Sequence, residues 1–368
     1  MQKIIFGITG LTLGGAERVL VDIANELVNE YDVTIFTLYG KGEFEKELSD
    51  KVKLVNMIDR PYNDLSFIQK LKVSLSLLFN KKSMYKKYID KGYDTEIAFL
   101  EGPITRLFSV PNKQVNKIAW VHNDITCVFG KNIKAKVKRI LDKKVYSKYN
   151  NVVFVSNDNK AKFEDVYNIE ANKIVISNYV STSRILKDSE VQVDNVFDDR
   201  EINFLTVARL TEQKAIDRLV KVHSKLILDG FKHKFYVIGD GPERENIKNL
   251  IKTCNVSDSF ILLGKKDNPY PYIKKCDVFA LMSLYEGLPI TILEAKVLNK
   301  PILITDTAAR EAVNDYEKSI IVPNTEKGVY EGIKNSIEKL KDWQNENINI
   351  YDKNDEIIKQ IEKLVKLK

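Results

Sequence analysis

The sequence has few of the residues that hold metal ions or form disulfides, with 3 histidines and 3 cysteines in 368 residues. Cys127, Cys254 and Cys276 are odd in number and far apart, without the spacing of a disulfide framework or a metal site. This predicts a reducing compartment, the cytoplasm, and no metal held by the protein. No apolar run approaches the roughly 20 residues that a membrane span needs. Residues 1–6 enter a strand-like run directly and lack the apolar core of a signal peptide.

The bulk composition, 44% hydrophobic and 30% charged, is typical of a soluble globular protein. A chain of 368 residues exceeds the usual size of a single hydrophobic core, so two domains are expected. The net charge of +7 is unevenly spread. Residues 1–187 carry 30 Lys and Arg against 21 Asp and Glu, whereas residues 188–368 carry 28 against 30. The basic excess therefore belongs to the first half.

Both halves alternate short β-rich runs with amphipathic stretches, which predicts two α/β domains with parallel sheets. Near-continuous apolar strands indicate burial on both faces. In the first half the predicted strands are 4–9, 33–38, 52–57, 95–100, 117–121, 152–156 and 173–177. In the second half they are 204–208, 235–238, 260–263, 278–282, 301–305 and 320–322.

The alternation breaks at residues 187–200, which are rich in acids and turn formers and have no helical or strand period. We therefore predict a Rossmann-like domain at 1–187, a linker at 188–202 and a second Rossmann-like domain at 203–345. Residues 346–368 are expected to form a C-terminal helix that could return to the first domain. Two doubly wound domains of this kind face each other across a cleft, and ligands bind at the carboxyl ends of the strands.

Glu286 and Glu294, eight positions apart, lie in the most informative stretch of the sequence. A buried strand over 278–282 is followed by a loop and by a helix predicted from about 289 to 298, with Pro289 at its first position. The N-terminal end of that helix would favour a phosphate group. Glu286 would lie beside this end, and Glu294 about 7 Å along the helix. This arrangement suits a nucleotide sugar, although two glutamates at this spacing are also common without any function.

Arg209 and Lys214 follow the first strand of the second half and are expected at the same sheet edge as the Glu286 loop. Arginine binds phosphate through a two-pronged hydrogen bond, and lysine acts as a point charge. Where no phosphate site is predicted nearby, two such cations are usually ordinary solvated surface residues. Beside a predicted phosphate site, the two cations would neutralise a diphosphate.

Two features of the first half point to the same kind of ligand. Gly14 and Gly15 join the first strand to the first helix, where they would let the backbone approach a ligand, or would simply form a flexible turn. The ending of a phosphate-binding P-loop is missing there. His122 ends a predicted strand on the same edge and would contact a sugar or the acceptor, or be structural.

Two basic amphipathic stretches, 70–91 and 131–148, account for much of the positive charge. Such helices often pack on their own core. Otherwise they would lie on anionic lipid, where each Lys or Arg contributes about 1 kcal/mol near the surface. Nucleic acid is not expected as a partner, since no nucleic-acid-binding motif accompanies the charge.

Taken together, these motifs resemble the retaining glycosyltransferases of family 4, which have the GT-B fold of two Rossmann-like domains. The resemblance covers nearly the whole chain. It rests on 14–17, 120–122, 155–156, 176–178, the pair Arg209 and Lys214, 239–242, 262–264 and the stretch 283–294. Ala215 departs from the family, because a glycine commonly follows the lysine.

The resemblance implies that the first domain binds the acceptor and the second the nucleotide-sugar donor. It also implies roles for individual residues. Arg209 and Lys214 would hold the donor diphosphate and stabilise the leaving nucleotide, and Glu286 would bind the hydroxyls of the donor sugar. Glu294 would bind the nucleotide ribose, and His122 would contact the transferred sugar. The remaining donor-binding positions would be Gly14, Gly15, Gly287, Leu288, Pro289 and Ile290. No metal or other cofactor is implied, and the donor is expected to be UDP-linked.

The function expected from this resemblance is transfer of a hexose or N-acetylhexosamine to a glycan in bacterial surface polysaccharide (for example capsule) synthesis. The basic first half suggests an acceptor linked to polyprenyl diphosphate and a cytoplasmic enzyme located peripherally on the inner face of the plasma membrane. Two alternatives remain open: a nucleotide-sugar epimerase on the same fold, and a non-catalytic nucleotide-binding protein.

Overall fold

A computed structural model describes residues 1–128, 133–198, 200–344 and 353–366, with the backbone alone for 127–128, 133–138 and 344. The chain forms two compact units. The first consists of Met1–Tyr179 with Lys353–Lys368, and the second of Val180–Asp352.

The first unit contains a parallel sheet of seven strands in the order β3-β2-β1-β4-β5-β6-β7. The strands are β1 Lys3–Ile8, β2 Asp32–Tyr39, β3 Lys53–Ile58, β4 Thr95–Ala98, β5 Asn116–Val121, β6 Asn151–Phe154 and β7 Asn172–Val175. All seven predicted strands are present, with ends shifted by one or two residues. The order reverses between β1 and β4, which places the ligand-binding edge of this sheet at the carboxyl ends of these two strands.

Helices connect these strands and cover the sheet. They are α1 Gly15–Leu27, α2 Phe67–Phe79, α3 Lys81–Tyr88, α4 Pro103–Phe108, α5 Ile125–Val128, α6 Ile133–Tyr146 and α7 Asn157–Val166. The predicted apolar stripe of α1 is buried, with Val19, Leu20 and Ile23 inaccessible to solvent. Burial of such a stripe against an apolar sheet is the main stabilising contribution to a helix of this length.

The second unit contains a parallel sheet of six strands in the order β10-β9-β8-β11-β12-β13. The strands are β8 Ile202–Val207, β9 His233–Ile238, β10 Phe260–Gly264, β11 Val278–Leu281, β12 Ile302–Thr305 and β13 Ser319–Val322. All six predicted strands are again present. The helices are α8 Thr182–Ser189, α9 Ile216–Leu228, α10 Arg244–Thr253, α11 Tyr270–Lys275, α12 Ile290–Val297 and α13 Glu326–Gln344. In this sheet the order reverses between β8 and β11.

The division between the units lies at residues 179 and 180, earlier than the predicted linker at 188–202. Helix α8 already packs on α11 and α12, and so belongs to the second unit. The stretch without periodicity is also fixed to that unit, because Phe197 is buried and its ring centroid lies 4.7 Å from that of Tyr236 on β9. A single aromatic anchor of this kind leaves no periodic pattern in the sequence.

Helix α14, Asn354–Val365, belongs to the first unit. The side chains of Gln2 and Thr95 donate hydrogen bonds of 2.5 and 3.0 Å to the carbonyl of Val365. The Asn116 side chain donates one of 2.9 Å to the carbonyl of Leu364. These bonds attach the end of the helix to the amino-terminal ends of strands β1, β4 and β5. The residues before it, 345–352, lie outside the described part of the chain.

Helix α2 packs on the first unit through Val73 and Leu77 but leaves most of its apolar side chains exposed. Val73 is the buried residue of this helix, at 7% exposure. The exposed apolar side chains range from 43% for Leu75 to 80% for Phe79, and the set is Phe67, Ile68, Leu71, Leu75, Leu78 and Phe79. Exposed lysines occur on this helix and on the next one, at Lys72 of α2 and at Lys82, Lys86 and Lys87 of α3. The second basic stretch, 131–148, falls partly outside the described residues.

Two histidines of the second unit form a buried chain of hydrogen bonds. His223 Nδ1 lies 2.9 Å from His233 Nε2, and His223 Nε2 lies 2.8 Å from the hydroxyl of Ser259. Both rings are inaccessible to solvent. Burial lowers the pKa of His223 to about 3 and that of His233 to about 4. Both side chains are therefore neutral in the folded protein at neutral pH.

This chain predicts that acid destabilises the second unit. An unfolded histidine takes up a proton near pH 6.5, whereas the folded ones do so only well below that pH. Stability is therefore complete above pH 6.5 and is lost as the pH falls below it. Between pH 7.5 and 5.5 the two histidines together should cost about 2–3 kcal/mol, measured by urea unfolding.

A double variant, His223→Leu with His233→Leu, should lose less stability than the wild type over this pH interval. Ser259→Ala is the control, because it removes a hydrogen bond and leaves both titrating groups in place. An equal loss in wild type and double variant would show that the two imidazoles are not responsible.

Candidate active site

The second sheet brings together the two loops in which the sequence predicts a phosphate site. Strands β8 and β11 are neighbours where the strand order reverses, and both loops leave their carboxyl ends. The loop after β8 contains Arg209 and ends in a 3-10 helix, Glu212–Lys214. The loop after β11 contains Glu286 and leads into α12.

Lys214 and Glu286 form a direct ion pair across these two loops. Glu286 is 6% exposed, and the Lys214 side chain is 15% exposed. A carboxylate taken out of water this far needs a counter-charge, and the lysine ammonium supplies it. The predicted cation and the predicted sugar-binding acid therefore lie at one point of the molecule.

Two hydrogen bonds made by Gln213 hold the two loops in register. The amide of Leu284 donates to the carbonyl of Gln213 at 2.8 Å. The side chain of Gln213 donates to the carbonyl of Tyr285 at 2.9 Å. Gln213 precedes Lys214 and Tyr285 precedes Glu286, so these bonds join the immediate neighbours of the ion pair.

Arg218, in the first turn of α9, holds the loop after β11 through hydrogen bonds. Its guanidinium donates to the carbonyl of Met282 at 2.5 Å and to the side-chain oxygen of Asn324 at 2.8 Å. Asn324 in turn donates to the carbonyl of Leu284 at 2.8 Å. Burial lowers the pKa of Arg218, but a guanidinium remains charged at neutral pH. This residue is not predicted from the sequence, since a single arginine on an amphipathic helix carries no distinguishing signal.

Ala215, which stands where the family commonly has glycine, has an unusual backbone conformation. It joins the 3-10 helix to α9 with φ 48° and ψ 40°, in the left-handed region. Glycine reaches this region without strain, whereas alanine pays for the contact between its Cβ and the backbone. The position therefore has the conformation that favours the family's glycine, although the residue differs.

Arg209 is exposed, and its guanidinium forms no ion pair or hydrogen bond with the residues that the structure describes. Its loop is fixed by the turn after β9. Leu210 donates to the carbonyl of Asp240 at 3.0 Å. A Cβ on Gly239 would lie 1.9 Å from the carbonyl oxygen of Ala208, and one on Gly241 would lie 2.3 Å from that of Leu210. The two glycines thus allow one backbone to pack directly against the other.

Helix α12 begins at Ile290, with Pro289 as its N-cap residue in an extended conformation (φ −68°, ψ 122°). The predicted helix is confirmed, but Pro289 lies one position before the first turn. Gly287 and Leu288 are buried in the loop that precedes it. Glu294 lies in the middle of α12, 3% exposed, and accepts a hydrogen bond of 2.9 Å from the hydroxyl of Tyr270.

In the first unit, His122 directly follows β5. Burial lowers its pKa to about 3, an effect that the Phe99 backbone only partly offsets. The imidazole is therefore neutral, and its Nε2 has no hydrogen-bond partner among the described residues. The carboxylate of Glu101, which follows β4, accepts the backbone amides of His122 and Asn123, each at 2.7 Å. Glu101 was not singled out in the sequence, and burial raises its pKa.

The glycine turn of the first unit precedes α1, with Gly14 as its N-cap residue in an extended conformation (φ −150°, ψ 161°) and Gly15 as its first residue. A Cβ on Gly14 would meet the carboxylate of Glu17, 2.2 Å away. Gly14 therefore needs no left-handed backbone, and its own helix fills the space beside it.

Within the described residues, no group of three or more His, Cys, Asp or Glu side chains is placed to hold a metal ion. No described helix is both long and apolar enough to span a membrane.

Comparison with known proteins identifies the family. The family model described as "Glycosyltransferase Family 4" matches residues 13–184, and the one described as "Glycosyl transferases group 1" matches residues 188–363. The chain therefore belongs to the glycosyltransferases, with a family 4 domain followed by a group 1 domain. Its two parallel sheets are those of the GT-B fold. By family it is a glycosyltransferase, as the sequence motifs predict.

Two relatives match along most of their length. A Campylobacter jejuni protein, N-acetylgalactosamine-N,N'-diacetylbacillosaminyl-diphospho-undecaprenol 4-alpha-N-acetylgalactosaminyltransferase, is 26% identical over 93% of this chain and 92% of its own. An amylovoran biosynthesis glycosyltransferase of Erwinia amylovora is 26% identical over 86% and 84%. Among solved structures, Anabaena HepE in complex with UDP and glucose superimposes with a TM-score of 0.76 at 16% identity, covering 99% of each chain. This last likeness shows the fold alone.

The close approach at Gly239 generates a prediction about stability. Gly239 has φ 145°, and an alanine there would place its Cβ against the Ala208 carbonyl. Gly239→Ala should therefore destabilise the second unit by about 3 kcal/mol or more, through overpacking and backbone strain together. Thermal denaturation measures the loss.

Gly230→Ala is the matched control for this prediction. Gly230 also has a positive φ, 90°, but a Cβ there would have no neighbour within 4 Å. Only the backbone strain remains, so this variant should melt well above Gly239→Ala. Equal melting temperatures would mean that the contact with Ala208 is unimportant.

Proposed function

We propose that the protein transfers a hexose or an N-acetylhexosamine from a nucleotide-diphosphate sugar to a glycan, with retention of the anomeric configuration. The observation that carries this proposal is the Lys214–Glu286 ion pair where the second sheet reverses its strand order. Adjacent positive and negative groups suit a ligand in which a diphosphate is joined directly to a sugar: the cation binds the phosphate and the acid binds the hydroxyls.

The charges of the site suit the departure of a nucleotide. As the bond between sugar and phosphate breaks, negative charge accumulates on the diphosphate, and fixed positive groups stabilise it. Lys214 is held in place by its loop, whereas the exposed Arg209 can close on the ligand as it binds. The N-terminus of α12, immediately after the Glu286 loop, adds a partial positive charge. In this proposal no metal ion is needed.

For the reaction itself, we propose attack on the same face from which the nucleotide leaves. The acceptor hydroxyl then forms the new bond to the anomeric carbon as the bond to the diphosphate breaks. The leaving phosphate takes the proton of that hydroxyl, so that no separate base is required. Glu286 orients the sugar through its hydroxyls, and Glu294 binds the nucleotide ribose. We assign the acceptor to the first unit, with His122 as a contact of the transferred sugar.

The relatives favour a role in bacterial surface polysaccharide synthesis with a lipid-linked acceptor. One of them is named for an acceptor linked to diphospho-undecaprenol, and the other for amylovoran biosynthesis. We therefore propose a polyprenyl-diphosphate-linked glycan as the acceptor. UDP is our first candidate for the donor nucleotide, and it is the one present in the HepE structure.

We further propose that α2 lies on the anionic inner face of the plasma membrane. Its exposed apolar side chains are the kind that enter the interface between head groups and acyl chains, and the exposed lysines of α2 and α3 would attract anionic lipid. An exposed apolar stripe on a soluble domain needs an explanation of this kind, because it gains nothing from contact with water. Docking here would place the enzyme beside a lipid-linked acceptor.

The first test of the proposal is the loss of transfer on removal of either charge. Lys214→Ala and Glu286→Ala should each lower the rate of sugar transfer by about 100-fold or more, since each removes a group acting on the reacting atoms. Transfer is measured from a panel of nucleotide sugars to a lipid-diphosphate-linked saccharide, in the presence of excess EDTA.

Lys221→Ala and Glu245→Ala are the controls, because these side chains are 52% and 73% exposed on helices of the same unit. Folded Lys214 and Glu286 variants that transfer sugar at the wild-type rate would overturn the proposal. Activity that appears only when a divalent ion is added would overturn its metal-free part.

The membrane part of the proposal has a separate test. Replacing Lys82, Lys86 and Lys87 by glutamate should weaken binding to phosphatidylglycerol vesicles by about 100-fold or more, at about 1 kcal/mol for each lost cation. Replacing Leu71, Leu75 and Leu78 by serine should reduce co-sedimentation as well, through the lost apolar contact.

Leu228→Ser is the control for the apolar variants, since Leu228 is more exposed than any of these three leucines, at 84%, but lies in the second unit. Phosphatidylcholine vesicles test the dependence on lipid charge. Unchanged co-sedimentation of both triple variants would remove α2 as the docking surface.

A further inference from the structure

Glu294 takes part in a chain of hydrogen bonds that joins three helices of the second unit. The guanidinium of Arg184 on α8 donates to the hydroxyl oxygen of Tyr270 on α11, at 2.9 Å. That hydroxyl donates its own proton to Oε1 of Glu294 on α12, at 2.9 Å. Tyr270 and Glu294 are 5% and 3% exposed, so the bond between them is shielded from water.

The direction of these bonds follows from the chemistry of the groups. A guanidinium can only donate, and a phenol has a single proton. With its oxygen occupied by Arg184, Tyr270 can direct that proton at the carboxylate. The nearby cation also polarises the phenol, which makes it a stronger donor to Glu294.

Tyr270 is itself held firmly at the start of α11. Its backbone amide donates to the side-chain oxygen of Asn268 at 3.1 Å, and the Asn268 amide group donates to the carbonyl of Asp188 at 2.8 Å. Asp188 belongs to α8 and also lies 3.7 Å from the Arg184 guanidinium. Helix α8 therefore fixes both the backbone and the hydroxyl of Tyr270.

We propose that Tyr270 is a positioning residue for the donor ribose, acting through Glu294, and that Arg184 orients the Tyr270 hydroxyl. This inference rests on the proposed function, in which Glu294 binds the ribose. A carboxylate that binds two neighbouring hydroxyls must hold its plane in one orientation, and a glutamate side chain has three rotatable bonds with which to lose it. The bond from Tyr270 fixes one oxygen, and with it the orientation of the plane.

The test is Tyr270→Phe, which removes one hydroxyl and keeps the ring. The probe is the tightest-binding of UDP, GDP, ADP and CDP, measured by calorimetry. Its dissociation constant should rise roughly 5- to 20-fold, less than for loss of a direct hydrogen bond to a charged group, because Tyr270 acts on the ribose only through Glu294. In the transfer assay KM for the donor should rise with little change in kcat, because ribose binding is equal in ground state and transition state.

Two further measurements separate positioning from general damage. The 2′,3′-dideoxy form of the same nucleotide should bind the wild type and Tyr270→Phe equally, since it has no hydroxyls for Glu294. In a Glu294→Gln background, Tyr270→Phe should have almost no additional effect, because both changes act on the same contact. Arg184→Gln should give a smaller loss in the same direction.

Tyr272→Phe is the matched control, since Tyr272 lies on the same helix and is 6% exposed. Equal weakening of the normal and dideoxy nucleotides by Tyr270→Phe would overturn the inference, as would additive effects of the two changes. If Glu294→Gln weakens binding and Tyr270→Phe does not, only the inference fails. If Glu294→Gln has no effect, or no nucleotide binds, the ribose assignment of the proposed function fails with it.

Discussion

The ion pair between Lys214 and Glu286 is the constraint around which the second unit is arranged. A glutamate that is 6% exposed is costly unless an opposite charge lies next to it. Yet a buried pair of this kind contributes little net stability, because the desolvation of both groups offsets their attraction. Its presence is therefore better explained by what the two groups do than by how they stabilise the fold. Each keeps the other extended towards the position where, in our proposal, a diphosphate and a sugar meet.

The surrounding contacts fix the backbone near this pair and leave its side chains to act. Gln213 bonds to Leu284 and Tyr285, just before Glu286, and Arg218 holds the carbonyl of Met282 where that loop begins. Gly239 and Gly241 give the Arg209 loop a rigid support made of backbone. Catalysis by fixed charges needs this kind of rigidity, because a group that must reorient during the reaction loses much of its stabilising effect. The exposed Arg209 is the one charged member of the predicted set that these contacts leave to move.

The positions of the strands could be predicted from the sequence, because parallel strands buried on both faces are short, continuous and apolar. All thirteen predicted strands are present in the described residues. It also predicted Lys214 and Glu286 near each other, since both follow strands at one sheet edge. The support for the pair could not be predicted. Arg218 looks like any helix cation, and the interaction of Gln213 is with a carbonyl 72 positions away. The division at residues 179 and 180 does not follow from the sequence for a related reason: α8 belongs to the second unit through individual contacts, which leave no periodic pattern.

Ala215 shows how a backbone conformation can persist when the residue that favours it is absent. The chain must turn sharply between the short helix that ends at Lys214 and the start of α9, and Ala215 makes this turn with φ 48°. An alanine in this region costs about 1 kcal/mol relative to glycine. The buried apolar residues of α9, Leu219 and Val220 among them, fix the helix on the sheet. The ion pair fixes the lysine on the other side of the turn. Because both ends are held, the strain is confined to Ala215, and the position of Lys214 is set by the fold and not by the local preference of its neighbour.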